Sequence, residues 1–399
     1  MPFDPLWQSL EEIGRASAGG YRRFAWTPED AALREWFTAQ ATDRGLAVEP
    51  DRAGNLWAWW GDPDDALRHG RPGVAVGSHL DSVPDGGAFD GPLGVVSAFA
   101  ALDLLQGRGF RPARPVAVAC FGDEEGARFG VACAGSRVLT GVLTADRALA
   151  LTDADGVTLA DALTRAGQDP AGWGPDPVAL GRISCLVELH VEQGRGLVDL
   201  GRPLGLGSRI WPHGRWRFDL HGRADHAGTT RLVDRRDPML TLAVVVQRIR
   251  ALAERHAVLA TCGKVRVEPN GVNAIPSRVT GWLDCRGDDP EAVRTLVAEL
   301  GAEVAELGGE LCEESWTPPT PFDPGLTARL ARVLDDPPVL PTGAGHDSGI
   351  LAQAGIPTAM IFVRNPTGVS HAPDERAEPD DCRTGVAALA DVLAELAGT

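Results

Sequence analysis

The chain has 399 residues, 44% hydrophobic and 23% charged, a globular composition that excludes disordered, collagen-like and coiled-coil proteins. Its 55 acidic residues against 38 basic ones give a net charge of −17. With Lys264 as the single lysine and no basic run, it is suited to bind neither nucleic acid nor an anionic membrane. No stretch approaches the roughly 18 apolar residues of a membrane span, and the acidic start MPFDPLWQSLEEIGRA lacks a secretory core, so a cytoplasmic protein is expected. Seven dispersed cysteines without a C-x-x-C pair read as reduced thiols.

In chain order, the first half alternates helices and strands. Leu33 to Gly45 reads as a helix ending at glycine, and Gly73–Ser78 as a short buried strand. Pro92–Gln106 is an apolar helix with proline at its start and Gly107 just beyond its end. Pro115–Phe121 and Ile183–Leu189 are further continuous apolar strands. After residue 320 the pattern predicts a helix near Leu326–Leu334, a strand at Pro357–Val363 and a C-terminal helix from about Asp381. Apolar strands separated by helices indicate an α/β domain, a mixed, mostly parallel sheet flanked by helices.

Between these parts the period changes. Arg215–Leu220 alternates, Asp237–His256 is a long helix, Gly263–Glu268 and Val279–Arg286 are strands, Pro290–Leu307 is a helix and Glu310–Trp316 a strand. The order β-α-β-β-α-β predicts a ferredoxin-like α+β unit inserted into the larger domain. The expected division is 1–206 and 320–399 for the α/β domain and 207–319 for the insert.

The informative residues sit just past the end of each core strand. Gly73–Ser78 runs into His79-Leu80-Asp81, Pro115–Phe121 into Gly122-Asp123-Glu124-Glu125, and Ile183–Leu189 into His190. Pro357–Val363 leads to Ser370-His371, and Asp90 lies just before the Pro92 helix. Ligands of open α/β sheets bind outside the carboxyl ends of the strands, so these residues should converge on one rim. A lone histidine or an adjacent glutamate pair is usually a satisfied core or surface feature. Four strand ends that each carry a ligand-type residue are not explained that way. Three imidazoles with three or four carboxylates suit Zn²⁺, Mn²⁺, Co²⁺ or Ni²⁺, and a carboxylate such as Asp90 can bridge two ions. Asp81 is placed to accept the second ring N–H of His79. Of Glu124 and Glu125, one can face metal and the other act as general base. His69 and His256 read as surface residues, His221 as part of a strand, and Leu56–Trp60 as strand packing.

At these residues the chain resembles the metal-dependent amidohydrolase branch of the M20 metallopeptidase clan. The motifs are G-S-H-L-D-S-V from Gly77, G-G-A-F-D-G-P-L-G-V from Gly86, G-D-E-E-G-A-R-F from Gly122, E-L-H-V-E-Q-G from Glu188, D-H-A-G-T-T from Asp225 and G-V-S-H-A-P-D-E from Gly368. That branch holds allantoate amidohydrolases, N-carbamoyl-L-amino-acid hydrolases, and ureidoglycolate- and β-ureidopropionase-type enzymes. His190 is discriminating, because the clan's peptidases usually have an acidic residue there.

The resemblance implies two divalent ions, one held by His79, Asp90 and His190 and the other by Asp90, Glu125 and His371. It implies Glu124 as general base, Asp81 as orienter of His79, and His226 as the histidine that stabilises the oxyanion, generally in a partner's site. Asn273 and Arg286 would hold the substrate carboxylate, and Gln193, Gly345 and His346 would line the site. The insert would then be a lid and the interface of a homodimer. His213 is polar near where carbamoylases are apolar, which tilts the expectation toward allantoate or another polar ureido acid, and Arg231 replaces the family's usual proline. The expected reaction cleaves the terminal carbamoyl C–N bond of a small ureido acid, allantoate or an N-carbamoyl-L-amino acid, releasing ammonia and CO2. The alternatives are an aminoacylase or dipeptidase of the same clan and a non-catalytic binding protein on its fold.

Overall fold

The computed structural model describes residues 2–17 and 19–398. Contacts divide the chain into a larger unit, 1–209 with 321–399, and a smaller one, 210–320. Among the described residues, no helix is long and apolar enough to cross a membrane.

The larger unit is built on a nine-stranded sheet. Its strands are β1 (Ala47–Pro50), β2 (Leu56–Trp60), β3 (Gly73–His79), β4 (Val116–Phe121), β5 (Ile183–Val191), β6 (Leu204–Ile210), β13 (Thr320–Pro321), β14 (Val339–Thr342) and β15 (Thr358–Val363), in the order β1-β2-β4-β3-β5-β15-β6-β13 with β14 beside β6. The central four, β4-β3-β5-β15, are parallel. β1, β2 and β6 extend the sheet antiparallel. The runs Gly73–His79 and Val116–Phe121 are buried at every position, as strands covered on both faces must be.

One face packs on α1 (Phe3–Leu10), α2 (Pro28–Asp43), α3 (Pro92–Gly107), α6 (Pro324–Val333) and α8 (Pro379–Ala397). α3 buries residues on all its faces, including Val95, Val96, Phe99 and Leu102. The opposite face buries Trp57, Trp59, Ala117 and Phe121 against Leu139, Leu163 and Leu351, the last on α7 (Asp347–Gln353). The tryptophan run thus packs the core. At the centre of the sheet the strands approach closely: Gly77 has φ +149° and a Cβ there would collide with the Ala119 carbonyl, so only glycine lets β3 lie against β4 at that register.

The smaller unit is a four-stranded antiparallel sheet, β12-β7-β11-β9, of β7 (His213–His221), β9 (Leu259–Glu268), β11 (Arg278–Arg286) and β12 (Glu310–Thr317). α4 (Pro238–His256) and α5 (Pro290–Glu306) bury Leu242, Val245, Ile249, Val293, Leu296 and Leu300 against Trp216, Phe218 and Leu283. Each helix starts Asp-Pro, with the Asp237 or Asp289 carboxylate accepting a main-chain N–H two residues on, which satisfies one orphan donor of the first turn. A short ribbon pairs β8 (Asp225–His226) with β10 (Ala274–Ile275).

Inside this unit Asp219 is buried, yet its Oδ1 accepts from Arg278 Nη2 at 2.6 Å and Thr280 Oγ1 at 2.6 Å, and Arg217 Nε lies 3.1 Å from Oδ2. Burial alone would raise its pKa; the Thr280 and Arg278 hydrogen bonds outweigh it, and the value is lowered. A depressed carboxylate adds stability above its unfolded pKa and loses it as pH falls toward the folded value. Asp219→Asn should therefore lower the melting temperature at pH 7 and flatten its decline between about pH 5 and 3. Parallel acid melting curves for the two proteins would exclude this account.

Candidate active site

The parallel strands β3, β4, β5 and β15 end on the same edge of the sheet. His79 is the last residue of β3, Gly122–Glu125 come directly after β4, His190 is the penultimate residue of β5, and the loop after β15 carries Ser370 and His371. Asp90 enters from the segment before α3. His190 lies inside β5, which continues to Val191, beyond the expected strand end.

The Asp90 carboxylate stands between two groups of ligand-type atoms. His79, Asp90 and His190 form one set and Asp90, Glu125 and His371 another, each with its ligand atoms within 4.8 Å of one another. The two oxygens divide the work. Oδ1 lies 3.2 Å from His190 Nε2 and 3.6 Å from His79 Nε2, whereas Oδ2 lies 3.3 Å from His371 Nε2. Glu125 Oε2 is 3.6 Å from that same nitrogen. The other ring nitrogens of the two buried histidines are occupied by carbonyls, His79 Nδ1 by Asp81 at 3.1 Å and His190 Nδ1 by Val191 at 2.8 Å. That leaves each Nε2 directed inward.

The electrostatics result from this crowding. Burial pushes the Asp90 carboxyl up, but its contacts with His190, His371 and His79 outweigh burial and hold it well below the usual range. The Asp90 contact raises His371 to about 9. Burial, with Asp90 as neighbour, raises Glu125 to about 7. Glu124 is raised well above the ordinary value, by burial first, with His79 opposing and Asp347, Glu125 and Asp81 adding. His346 is driven down by burial and by His190.

A metal fits this donor set. His79 Nε2, His190 Nε2 and Glu125 Oε1 are buried without hydrogen-bond partners, a costly condition for polar atoms unless a ligand satisfies them. Imidazole nitrogens with carboxylate oxygens suit zinc or manganese.

Glu124 is beside the first set, with Oε2 3.8 Å from His79 Nε2. Its Oε1 accepts from the buried thiol of Cys133 at 3.3 Å. Asp81 lies with its carboxylate 3.5 Å from His79 Nδ1, but its hydrogen bonds go elsewhere: Oδ1 and Oδ2 accept the N–H groups of Glu124 at 3.2 Å and Glu125 at 3.0 Å. Asp81 thus ties the end of β3 to the turn after β4. Gln193 Nε2 donates to Asp90 Oδ2 at 2.8 Å. His346 packs edge-on against His190 with centroids 4.6 Å apart, and a Cβ at Gly345 would meet open space.

Four sequence-derived residues belong to the smaller unit. His213 and Arg286 face each other across β7 and β11, and Ala227, next to His226, donates its N–H to the Asn273 carbonyl. His226 and Asn273 are exposed. Arg286 holds Asp284 through Nε and Nη2, both at 2.7 Å.

Other residues at the rim carry no signal in spacing. Glu188, fully buried, accepts from Ser78 Oγ at 2.7 Å and Ser348 N at 3.3 Å. Gly91 has φ +85°, and a Cβ there would overlap the His79 ring. Its signal was present in D-G-P, a glycine between a ligand and a helix-starting proline.

Residues 75–395 match the model of peptidase family M20/M25/M40. The chain belongs to this family. An N-carbamoyl-L-amino acid amidohydrolase of Geobacillus stearothermophilus is 36% identical over 98% of both chains. An allantoate amidohydrolase of Escherichia coli is 31% identical over 97% of this chain and 96% of its own. The crystal structure of an amidase of the hydantoinase/carbamoylase family from Burkholderia vietnamiensis superposes with TM-score 0.88 at 31% identity, covering 99% of this chain and 97% of that one. Within M20/M25/M40 the chain therefore falls in the amidohydrolase branch, as a hydrolase acting on non-peptide C–N bonds.

The Gly91 constraint is testable. Gly91→Ala should displace His79 and weaken metal binding by about 10–100-fold, the usual effect of disturbing a ligand's support. Metal content after dialysis checks it, and full occupancy in a folded variant would refute it.

Proposed function

We propose that the protein hydrolyses the terminal carbamoyl C–N bond of a small ureido acid, allantoate or an N-carbamoyl-L-amino acid, with two divalent ions. The observation that carries the two-ion reading is Asp90, whose Oδ1 and Oδ2 face separate imidazole–carboxylate sets. His79, Asp90 and His190 would hold one ion and Asp90, Glu125 and His371 the other. When bound, zinc or manganese supplies Lewis acidity to the carbonyl and to water.

The chain's own residues do the rest. Glu124, a buried carboxylate with a raised pKa, takes a proton from the water whose oxygen attacks the carbamoyl carbon. It returns that proton to the departing nitrogen, so that the C–N bond breaks and ammonia leaves. The remaining carbamate loses CO2 to give the amine. Cys133, donating to Glu124 Oε1, leaves Oε2 as the oxygen directed toward the reacting water. Asp81 holds the main chain of Glu124 and Glu125 in place.

The smaller unit acts in this reading as a lid and as the contact surface of a homodimer. Its exposed apolar side chains, among them Leu232, Val233, Leu240 and Val272, and the edge position of β9 support an interface. His226 would stabilise the oxyanion in the partner's site. Asn273 and Arg286 would hold the substrate carboxylate, since a guanidinium fork suits that group, with Gln193, His213, Gly345 and His346 lining the pocket. The seven cysteines are unpaired, in keeping with a cytoplasmic enzyme.

Ammonia release from allantoate, N-carbamoyl-L-methionine and N-carbamoyl-β-alanine, beside amine release from N-acetyl-L-methionine and a dipeptide, tests the substrate class. Turnover of a carbamoyl or ureido compound, abolished by chelator and restored by manganese or zinc, is expected. Turnover confined to the acetyl compound or dipeptide would place the chain with aminoacylases and dipeptidases instead. Glu124→Gln should lower kcat by at least about 10²–10⁴-fold with metal content unchanged; near-normal kcat would remove Glu124 as the base.

A further inference from the structure

Glu375 ends the motif that begins at Gly368, yet the proposed reaction makes no use of it. It is 5% exposed. Its Oε1 accepts the main-chain N–H of Phe89 at 2.8 Å and that of Asp90 itself at 2.9 Å. Its Oε2 is 3.3 Å from the Ser370 hydroxyl, which is also 3.3 Å from Asp90 Oδ2. Gly87 is without a side chain where a Cβ would overlap the Glu375 carboxylate. The carboxylate therefore fills a cradle made by residues 87–90 and joins it to the loop that carries His371.

Burying a second carboxylate beside Asp90 is unfavourable in itself, since like charges repel and both lose hydration. The compensation here is directional, two N–H groups converging on one oxygen. Two N–H groups held at successive residues leave the main chain at Asp90 little freedom. The side chain projecting from it is thereby aimed, with Oδ1 toward His79 and His190 and Oδ2 toward His371.

We infer that Glu375 is a positioning residue for the bridging carboxylate, fixing the main chain of Asp90 so that its two oxygens serve both ion positions at once. This rests on the two-ion reading above. Its distinctive consequence is that losing Glu375 weakens both ions together, whereas His371→Ala weakens the second set alone.

The test is titration of the metal-free protein with Mn²⁺ and with Zn²⁺ against a competing chelator, reading two dissociation constants and the stoichiometry. Wild type should bind two ions. Glu375→Ala should bind both about 10–100-fold more weakly. Glu375→Gln keeps an oxygen that accepts both N–H groups, so it should bind like wild type. Glu375→Asp, a methylene too short to reach, should behave like the alanine variant and replaces it if alanine prevents folding, judged by circular dichroism of the metal-free proteins. Unchanged affinities in the alanine or aspartate variant overturn the inference, as does weakening of one ion only. A glutamine variant as weak as alanine also overturns it, because charge rather than hydrogen bonding would then be responsible. Wild type binding fewer than two ions instead overturns the two-ion reading itself.

Discussion

A carboxylate at 6% exposure, as Asp90 is, loses several kcal/mol of hydration that only nearby positive charge or donors can offset. The fold supplies these from five places: His79, His190 and His371 around the oxygens, Gln193 and Ser370 on Oδ2. Everything else at the rim is arranged around that requirement. Four parallel strands must end at one level to bring the imidazoles together, and the segment before α3 must pass beneath them. The neighbouring carboxyls Glu124 and Glu125 are pushed up by burial first, and then by the carboxylates around them, Asp347 and Asp81 for Glu124 and Asp90 for Glu125.

The main chain bears part of the cost. His371 at φ +57° and Asp123 at φ +54° are in the left-handed region, where a non-glycine residue gives up on the order of 1–3 kcal/mol. The first carries an imidazole that faces Asp90, and the second precedes the Glu124–Glu125 pair. Gly77 and Gly91 avoid that cost, the first by letting β3 approach β4 and the second by making room for the His79 ring. The site is thus set by backbone geometry as much as by its polar side chains. This also accounts for the hydrogen bonds of Asp81, whose carboxylate serves two main-chain N–H groups in the turn after β4 and leaves the His79 ring to a carbonyl.

How much of this the sequence discloses depends on whether a feature has a period. The buried strands β3 and β4 are built on the apolar runs Gly73–Gly77 and Val116–Phe121, and α4 and α5 announce themselves by Asp-Pro starts and helical spacing. Polar residues directly after such runs, His79 and Glu124–Glu125, were therefore legible, and the strand-end rule gathers them. His190 was legible as a residue although β5 continues past it. Glu188 and Cys133 were not, because their roles depend on partners that no local pattern names. Glu188 meets Ser348 and Ser78, both reached only across the folded sheet. Arg286 shows the limit from the other side. The resemblance alone names it as a substrate anchor, and only the folded chain reveals its pair with Asp284.

The ligand-type residues gathered at Asp90 are spread from position 79 to position 371, with the whole of 210–320 folded as a separate unit in between. No two of the imidazoles lie within a helical turn or a hairpin of each other, so an extended chain offers no chelating pair. Any affinity of these residues for a metal would then be a property of the assembled sheet, and binding to the native state alone would raise its stability by mass action. It also sets an order on biosynthesis. A nascent chain has made His79, Asp90, Glu125 and His190 long before His371, and must still thread out an entire second unit. Until β15 docks beside β5, the rim lacks its third imidazole, and a site that needs His371 waits for that pairing.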